Sequence, residues 1–255
     1  MGTTFILSIY RGLPGKQYRE EFELELKPFM NVISALMEIR KRPVTRKGTT
    51  VAPVVWEQGC LEEVCGSCSM LVNRKPRQAC AALIQPLIER ADTPLVTLAP
   101  LTKFPLVRDL VVDRAGMFRS LKRVKGWISA DISSASHAFG ERISQNKQET
   151  MYTLATCMTC GCCSEACPQV NNKSSFIGPA PISQARLFNL HPTGRGDREV
   201  RNRALMRKGG IAECGNAQNC VQVCPKEIPL TESIAVMGRS VTKQAFKETF
   251  GISEE

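Results

Sequence analysis

The chain has 255 residues, 43% of them hydrophobic, which is enough to build one large domain or two ordinary ones. No apolar run reaches the roughly 18 residues of a membrane-spanning helix, so the sequence predicts no such helix. The formal net charge of +10 at pH 7 would suit nucleic acid or an anionic membrane surface as a partner. The N-terminal segment has neither a basic stretch followed by an apolar one nor a twin-arginine pair, and we therefore expect the protein to stay in the compartment where it is made.

The N-terminal part of the sequence alternates strand and helix patterns. Four strands are predicted, at residues 5–10, 21–27, 69–73 and 95–98. A turn with glycine and proline at residues 12–15 joins the first two strands. Asn31 is a suitable N-cap for an amphipathic helix that Pro43 prevents from continuing. Two strands followed by a helix indicate the start of a small, half-open sheet.

The pattern changes at residues 100–105, a proline-containing segment after which the apolar spacing becomes helical from Leu106. We therefore predict two domains, residues 1–105 and residues 106–255. In the second domain, helices of modest length are predicted near residues 182–190 and 199–208 and from Thr231 and Thr242. A Ser-rich surface loop is predicted at residues 128–142. The second domain should be mainly α-helical.

The most specific motif is a C-x₂-C-x₂-C-x₃-C-P run, which wraps a cubane iron–sulfur cluster. It consists of Cys157, Cys160, Cys163, Cys167 and Pro168. The same frame recurs downstream with one cysteine missing, and Ala217 stands in the place of that cysteine. The remaining members of the second frame are Cys214, Cys220, Cys224 and Pro225. The sequence therefore predicts two clusters, one of which lacks a ligand.

In two-cluster ferredoxins the fourth cysteine of each run ligates the other cluster. A [4Fe–4S] cluster is therefore predicted on the thiolates of Cys157, Cys160, Cys163 and Cys224. The cysteines that remain for the second cluster are Cys167, Cys214 and Cys220. Because three thiolates hold only three irons of a cubane unless another ligand intervenes, we predict a [3Fe–4S] cluster there.

A third set of cysteines lies upstream, with the spacing C-x₄-C-x₂-C-x₁₁-C that is typical of a plant-type [2Fe–2S] cluster. Its members are Cys60, Cys65, Cys68 and Cys80. Gly59 and Gly66 let the backbone approach the cluster, so that amide N–H groups can point at its sulfur atoms. Only Cys162 is left unassigned, and we interpret it as a buried free thiol that packs as a small hydrophobe.

Zinc sites and disulfide bonds fit these cysteines less well than iron–sulfur clusters do. Zinc prefers four tetrahedral ligands, usually in two separated C-x₂-C pairs, and disulfide frameworks belong to short secreted chains. The basic residues between 114 and 125 lack interleaved aromatic residues apart from Phe118, which favours a solvated helix face or a partner contact over a nucleic-acid site. His137 and His191 stand outside any ligand spacing, and neither a Gly-rich nucleotide loop nor paired carboxylates are visible. We therefore expect no nucleic-acid partner and no catalytic residue in this chain.

With these motifs the chain resembles, over essentially its full length, the iron–sulfur subunit of succinate dehydrogenase and fumarate reductase. The matching segments are residues 31–40, 60–68, 176–179 and 219–226. In that family the same cysteines bind the same three clusters. The resemblance implies an α+β fold, with an N-terminal plant-type ferredoxin-like (β-grasp) domain and a mainly α-helical C-terminal bacterial ferredoxin-like domain.

The resemblance also implies a function. In that family a flavoprotein partner carrying FAD oxidises succinate, and the clusters pass single electrons to a quinone at a membrane anchor. The chain is therefore expected to carry electrons on the cytoplasmic side of the membrane, while the dicarboxylate site lies on the flavoprotein. The [2Fe–2S] cluster should face the flavin and the [3Fe–4S] cluster the membrane, with the [4Fe–4S] cluster between them.

Two positions refine the resemblance. Ubiquinone-reducing relatives carry a tryptophan and a histidine where this chain has Asn172 and Gly215, so it is most similar to the menaquinone-linked enzymes with a dihaem cytochrome b anchor. The alternative is the iron–sulfur subunit of another flavin-dependent dehydrogenase, such as those for glycolate or glycerol 3-phosphate. Those relatives typically lack the set that runs from Cys60 to Cys80, which favours the first interpretation.

Overall fold

The structure, a computed structural model, describes residues 3–129 and 142–251. Packing divides the chain into two compact units, one of Met1–Arg114 with Met158–Ala166 and the other of Ala115–Cys157 with Cys167–Glu255. This division differs from the predicted domain boundary after residue 105, because residues 106–114 and 158–166 pack with the N-terminal unit. His137 and most of the predicted Ser-rich loop lie outside the described residues.

A five-stranded sheet organises the first unit, with the strand order β2-β1-β5-β3-β4. Its strands are β1 (Thr4–Leu13), β2 (Lys16–Glu25), β3 (Ser69–Val72), β4 (Lys75–Gln78) and β5 (Leu95–Ala99). β1 and β5 are parallel, whereas the other neighbours are antiparallel. The four predicted strands are confirmed, although β2 begins at Lys16, so the turn that joins it to β1 shrinks to Pro14 and Gly15.

Helix α1 (Val32–Lys41) shares one apolar core with this sheet. Asn31 caps it as predicted, since its Oδ1 accepts a hydrogen bond from Ser34 N at 2.8 Å and its own N–H donates to Ser34 Oγ at 2.8 Å. Leu36 and Ile39 are buried in the core beside Leu7. Burying each such side chain contributes about 1.5–3 kcal/mol. The amphipathic pattern therefore fixes this short helix on the sheet.

Several short elements of the first unit were not predicted, namely β4, α2 (Ile84–Ala91) and a hairpin of β6 (Leu106–Arg108) and β7 (Val111–Val112). The hairpin shows that the helix predicted from Leu106 is wrong over this stretch. Asp109 takes a φ of 49° between the two strands, and its carboxylate accepts hydrogen bonds from Gly12 N at 2.8 Å and Val55 N at 2.9 Å. These bonds to distant parts of the sequence turn the chain, so the helix begins only at Ala115.

The second unit is mainly α-helical, as predicted. Its helices are α3 (Ala115–Arg123), α4 (Gln145–Ala155), α6 (Pro179–Leu190), α7 (Arg198–Met206), α8 (Asn219–Gln222) and α9 (Leu230–Phe250), while α5 (Cys162–Ala166) belongs to the first unit. Helices α6, α7 and α9 pack together around Ile182, Leu205 and Met237. Within the described ranges, no helix combines the length and the apolar character that crossing a membrane requires.

Helix α9 is continuous, whereas the sequence predicted separate helices from Thr231 and Thr242. The Oγ1 of Thr242 donates to Gly238 O at 3.0 Å, so this hydroxyl is satisfied inside the helix and does not cap a new one. Met237 and Val241 are buried in the helical core on either side of the junction. Tertiary packing therefore carries the helix through Gly238 despite the poor helix propensity of glycine.

Candidate iron–sulfur sites

Cys60 and Cys65 lie in a loop whose backbone amides point at their sulfur atoms. Cys60 Sγ accepts hydrogen bonds from the N–H groups of Glu62, Val64 and Cys65 at 3.4, 3.3 and 3.3 Å. Cys65 Sγ accepts from Cys60 N and Ser67 N, each at 3.4 Å, and lies 3.3 Å from Ser67 Oγ. This arrangement suits thiolates that carry the negative charge of a bound cluster, because each amide is a fixed donor to sulfur.

Unusual backbone angles produce this arrangement. Leu61 and Glu63 take φ values of 65° and 59°, and Gly66 takes 74°. Alternating right- and left-handed residues turn successive N–H groups to the same side of a chain. The hydrogen bonds, led by the Ser67 hydroxyl, lower the pKa of Cys65 to about 6. The loop therefore stabilises the thiolate, which is the form that binds iron.

Cys68 and Cys80 differ from the first pair because both are buried. Burial, together with the neighbouring thiol of Cys80, raises the pKa of Cys68 to about 12. Two buried thiolates are unfavourable alone, but the positive charge of a bound iron reverses this preference. Four cysteines arranged as one more accessible pair and one buried pair fit a cluster that has two irons.

Gly59 and Gly66 both allow close approaches, and the atoms they approach are those of the protein. A Cβ on Gly59 would lie 3.0 Å from Cys65 Sγ. A Cβ on Gly66 would lie 2.6 Å from Met158 O and 3.1 Å from the Cα of Cys160. At Gly66, the loop of the first cysteine set therefore packs closely against the segment that contains Cys160.

Replacing Gly66 with alanine is expected to destabilise this loop by about 2–5 kcal/mol, since left-handed strain costs about 1–2 kcal/mol and overpacking about 1–3 kcal/mol. Gly48 provides the matched control: its φ is +81°, but a Cβ there meets nothing within 4 Å. Gly48→Ala should therefore show the strain without the clash. The measurement is the melting temperature and the [2Fe–2S] content of both variants. Equal effects of the two substitutions would contradict the packing role of Gly66.

The predicted three-cysteine site lies in the second unit. Cys167, Cys214 and Cys220 line one cavity with Ala217, which occupies the place of the missing ligand. Burial, and then the proximity of Cys167 and Cys214, raises the pKa of Cys220. Among the described residues that line this cavity, those three are the only cysteines. The donor set fits a cluster with three irons, each held by one thiolate.

The four cysteines predicted for the [4Fe–4S] cluster are divided between the units. Cys160 and Cys163 belong to the first unit, whereas Cys157 and Cys224 belong to the second. Their convergence on one cluster stays a prediction. Across the residues that the structure describes, no three His, Cys, Asp or Glu side chains are grouped to hold a single metal ion.

Cys162 is fully buried, as predicted, but its surroundings are polar. Gln78 Nε2 donates a hydrogen bond to its Sγ at 3.7 Å, and its thiol also interacts with that of Cys160. The hydrogen bonds from Cys162 lower the pKa of Cys160 to about 7, although burial opposes this shift. The interpretation of Cys162 as a simple small hydrophobe is therefore incomplete.

Three polar residues that support the cysteine loops were not predicted. Glu165, in α5, accepts hydrogen bonds from Thr102 N and Lys103 N, each at 3.0 Å, and from Thr102 Oγ1 at 2.6 Å. Arg114 donates a hydrogen bond to Gly66 O at 2.7 Å. The third residue, Gln78, contacts the sulfur atoms of Cys68 and Cys162. In the sequence, Gln78 and Glu165 are visible only as polar residues close to cysteines. That position alone does not identify their hydrogen-bond partners.

The basic residues between 114 and 125 are only partly a solvated face. Arg119 and Lys122 are exposed, as predicted. Arg123, however, donates to the carbonyls of Ala204 and Lys208, and Lys125 pairs with Asp197. Because Arg114, Arg123 and Lys125 serve the protein's own structure, the charge available to an external partner is smaller than the sequence suggested.

Two families match the chain. The 2Fe-2S iron-sulfur cluster binding domain matches residues 6–119, and the 4Fe-4S dicluster domain matches residues 153–228. The chain is 53% identical to the succinate dehydrogenase iron-sulfur subunit of Bacillus subtilis over 97% of this chain and 95% of that protein. It is 28% identical to the fumarate reductase iron-sulfur subunit of Wolinella succinogenes over 94% of this chain and 98% of that protein.

The fold is similar to that of a chain in the Mycobacterium smegmatis Sdh1 complex in the apo form, with a TM-score of 0.80 and 22% identity over 96% of this chain and 98% of that chain. The fold and the cluster-binding domains define a two-domain iron–sulfur protein, and the predicted α+β fold class is confirmed. The chain belongs to the family of succinate dehydrogenase and fumarate reductase iron–sulfur subunits, as its resemblance predicted.

Proposed function

We propose that the chain relays single electrons between the FAD of a flavoprotein subunit and a quinone at a membrane anchor, within a succinate:quinone or quinol:fumarate oxidoreductase. Its place as the iron–sulfur subunit of such an enzyme follows from its family. The main support for electron relay is that one chain contains cysteine sets with different numbers of cysteines. A series of clusters that differ in type and charge spans different potentials, which suits electron transfer.

The proposed ligands follow the predicted sets. The [2Fe–2S] cluster is held by Cys60, Cys65, Cys68 and Cys80. The [4Fe–4S] cluster is held by Cys157, Cys160, Cys163 and Cys224. The [3Fe–4S] cluster is held by Cys167, Cys214 and Cys220. When bound, each cluster accepts and returns one electron, while the protein supplies thiolates, N–H donors to sulfur and a partly buried environment that set its potential.

The exposure of two loops supports the proposed order of partners. Around the first cysteine set, Leu61 and Val64 are 44% and 55% exposed, which is unusual for apolar side chains beside a metal site and suits contact with a flavoprotein. Around the three-cysteine cavity, residues 215–219 are exposed and suit contact with the membrane anchor. With the resemblance to the family, this supports placing the chain peripherally, on the cytoplasmic side of the membrane.

The identity of the anchor is inferred from Gly215 and Asn172. The absence of a tryptophan and a histidine at these two positions supports a quinone site that lies mostly in the anchor, as in the menaquinone-linked enzymes with a dihaem cytochrome b that the chain resembles. We propose an anchor of that kind.

Co-purification tests the assembly. Solubilised gently from native membranes, the chain is expected to appear with a larger FAD-containing protein and with a cytochrome b. Isolation without either would contradict the proposal. The alternative, a subunit of another flavin-dependent dehydrogenase, predicts flavin reduction by glycolate or glycerol 3-phosphate and none by succinate, so a comparison of these donors distinguishes the two.

A further inference from the structure

Gln78 is a polar residue in a position that would ordinarily be apolar. It ends β4, is 0% exposed and lies among sulfur atoms. Its Oε1 is 3.5 Å from Cys68 Sγ, and its Nε2 is 3.7 Å from Cys162 Sγ and 2.8 Å from Ser69 Oγ. A buried amide is costly unless its hydrogen bonds are satisfied. All of Gln78's contacts here lead to the cysteine loops of the first unit.

The contacts form a continuous chain between two cysteine sets. Cys68 belongs to the first set, and Gln78 connects it with Cys162, whose thiol lies beside that of Cys160 in the next set. Ser69 completes the chain, since its hydroxyl donates to Gly66 O at 2.9 Å and accepts from Gln78. One buried amide thus contacts the loops of two cysteine sets.

The hydrogen-bonding capacity of each group determines which end of the amide faces Cys68. A thiol can donate to Oε1, but a thiolate bound to iron only accepts. If Cys68 binds the cluster, Oε1 would face a negatively charged sulfur and be repelled by it. Exchanging the positions of the amide oxygen and nitrogen removes this conflict without moving the side chain. Nε2 then donates to Cys68, and Oε1 accepts from the Ser69 hydroxyl, while Gly66 O keeps its bond from Arg114. In this orientation the amide oxygen faces Cys162 Sγ, so Gln78 contacts Cys162 by packing and gives it no N–H.

We propose that Gln78 is a positioning residue that donates an N–H to the cluster-bound sulfur of Cys68 and packs against Cys162. The amide thereby sets the reduction potential of the [2Fe–2S] cluster and joins its loop to that of the [4Fe–4S] cluster. This inference rests on the proposed assignment of Cys68 to the [2Fe–2S] cluster. A donor to a cluster sulfur stabilises the more negative, reduced state, so its removal lowers the potential.

The test is a potentiometric EPR titration of the purified complex. Gln78→Leu should keep the full [2Fe–2S] signal of the reduced state but shift its midpoint to a more negative potential. Gln78→Met should give the same shift. Because methionine is unbranched like glutamine, this variant replaces the leucine variant if the latter assembles poorly. The matched control is Gln85→Leu, because Gln85 is exposed and its Nε2 bonds only to Glu89, at 2.9 Å, among the contacts described. The control should leave the midpoint unchanged.

Cys162→Ala tests the other end of the chain of contacts. It removes the thiol that packs against the amide and leaves the donor to Cys68 in place, so the [2Fe–2S] midpoint should move little. An unchanged [2Fe–2S] potential in fully loaded Gln78→Leu or Gln78→Met would overturn the proposal alone. Absence of the [2Fe–2S] signal from the wild-type complex would overturn the cluster assignment and the proposal together.

Discussion

Replacing Ala217 with cysteine is expected to convert the proposed [3Fe–4S] cluster into a [4Fe–4S] cluster. Ala217 lines the cavity of Cys167, Cys214 and Cys220 and stands where the complete motif has a cysteine. Its side chain is exposed, so a sulfur atom can be added without overpacking the core. The new thiolate supplies the ligand that a fourth iron requires.

EPR spectroscopy distinguishes the two clusters. An oxidised [3Fe–4S] cluster is paramagnetic and an oxidised [4Fe–4S] cluster is not, so the wild type should show a signal before reduction and Ala217→Cys should lose it. The added negative charge should also lower the cluster's potential and slow electron transfer to quinone. Ala212→Cys is the matched control, because Ala212 is a nearby exposed alanine outside the cavity lining. Absence of the oxidised-state signal from fully loaded wild type would refute the three-iron assignment.

The two cluster-binding domains could be predicted because cluster ligation depends on short, fixed cysteine spacings. The spacing of the four cysteines from Cys60 to Cys80 indicates a [2Fe–2S] cluster before any fold is known, and the matched 2Fe-2S domain covers them. The same holds for α1, whose apolar periodicity and Asn31 cap are local signals. Structure could therefore be predicted from the sequence where the contacts that determine it lie close together in the chain.

The elements that were missed depend on contacts between distant residues. The β6–β7 hairpin is fixed by Asp109 through its bonds to Gly12 and Val55, and no spacing near Leu106 contains that information. Gln78 likewise has no recognisable role until the fold brings Cys162 beside it. A polar residue at an inward-facing strand position was a signal, but only the structure supplies its partners.

Replacing Cys65 with serine is expected to separate the two halves of the overall reaction. Cys65 is an exposed thiol whose thiolate is stabilised by Ser67 and by backbone N–H groups, and serine provides a much poorer iron ligand. Loss of the [2Fe–2S] cluster should reduce succinate-dependent quinone reduction by more than about 10–100-fold, the range produced by losing only a supporting partner of a ligand.

Flavin reduction by succinate should remain largely intact in Cys65→Ser, because the proposed dicarboxylate site and the FAD belong to the flavoprotein partner. The measurement compares succinate-dependent bleaching of the flavin with quinone reduction in the same preparation, after its subunits and FAD content have been verified. A bleached flavin that cannot pass electrons onward is the result that the relay predicts. Equal loss of both activities in a correctly assembled complex would contradict it, because the chain would then be needed for the chemistry of the flavin site itself.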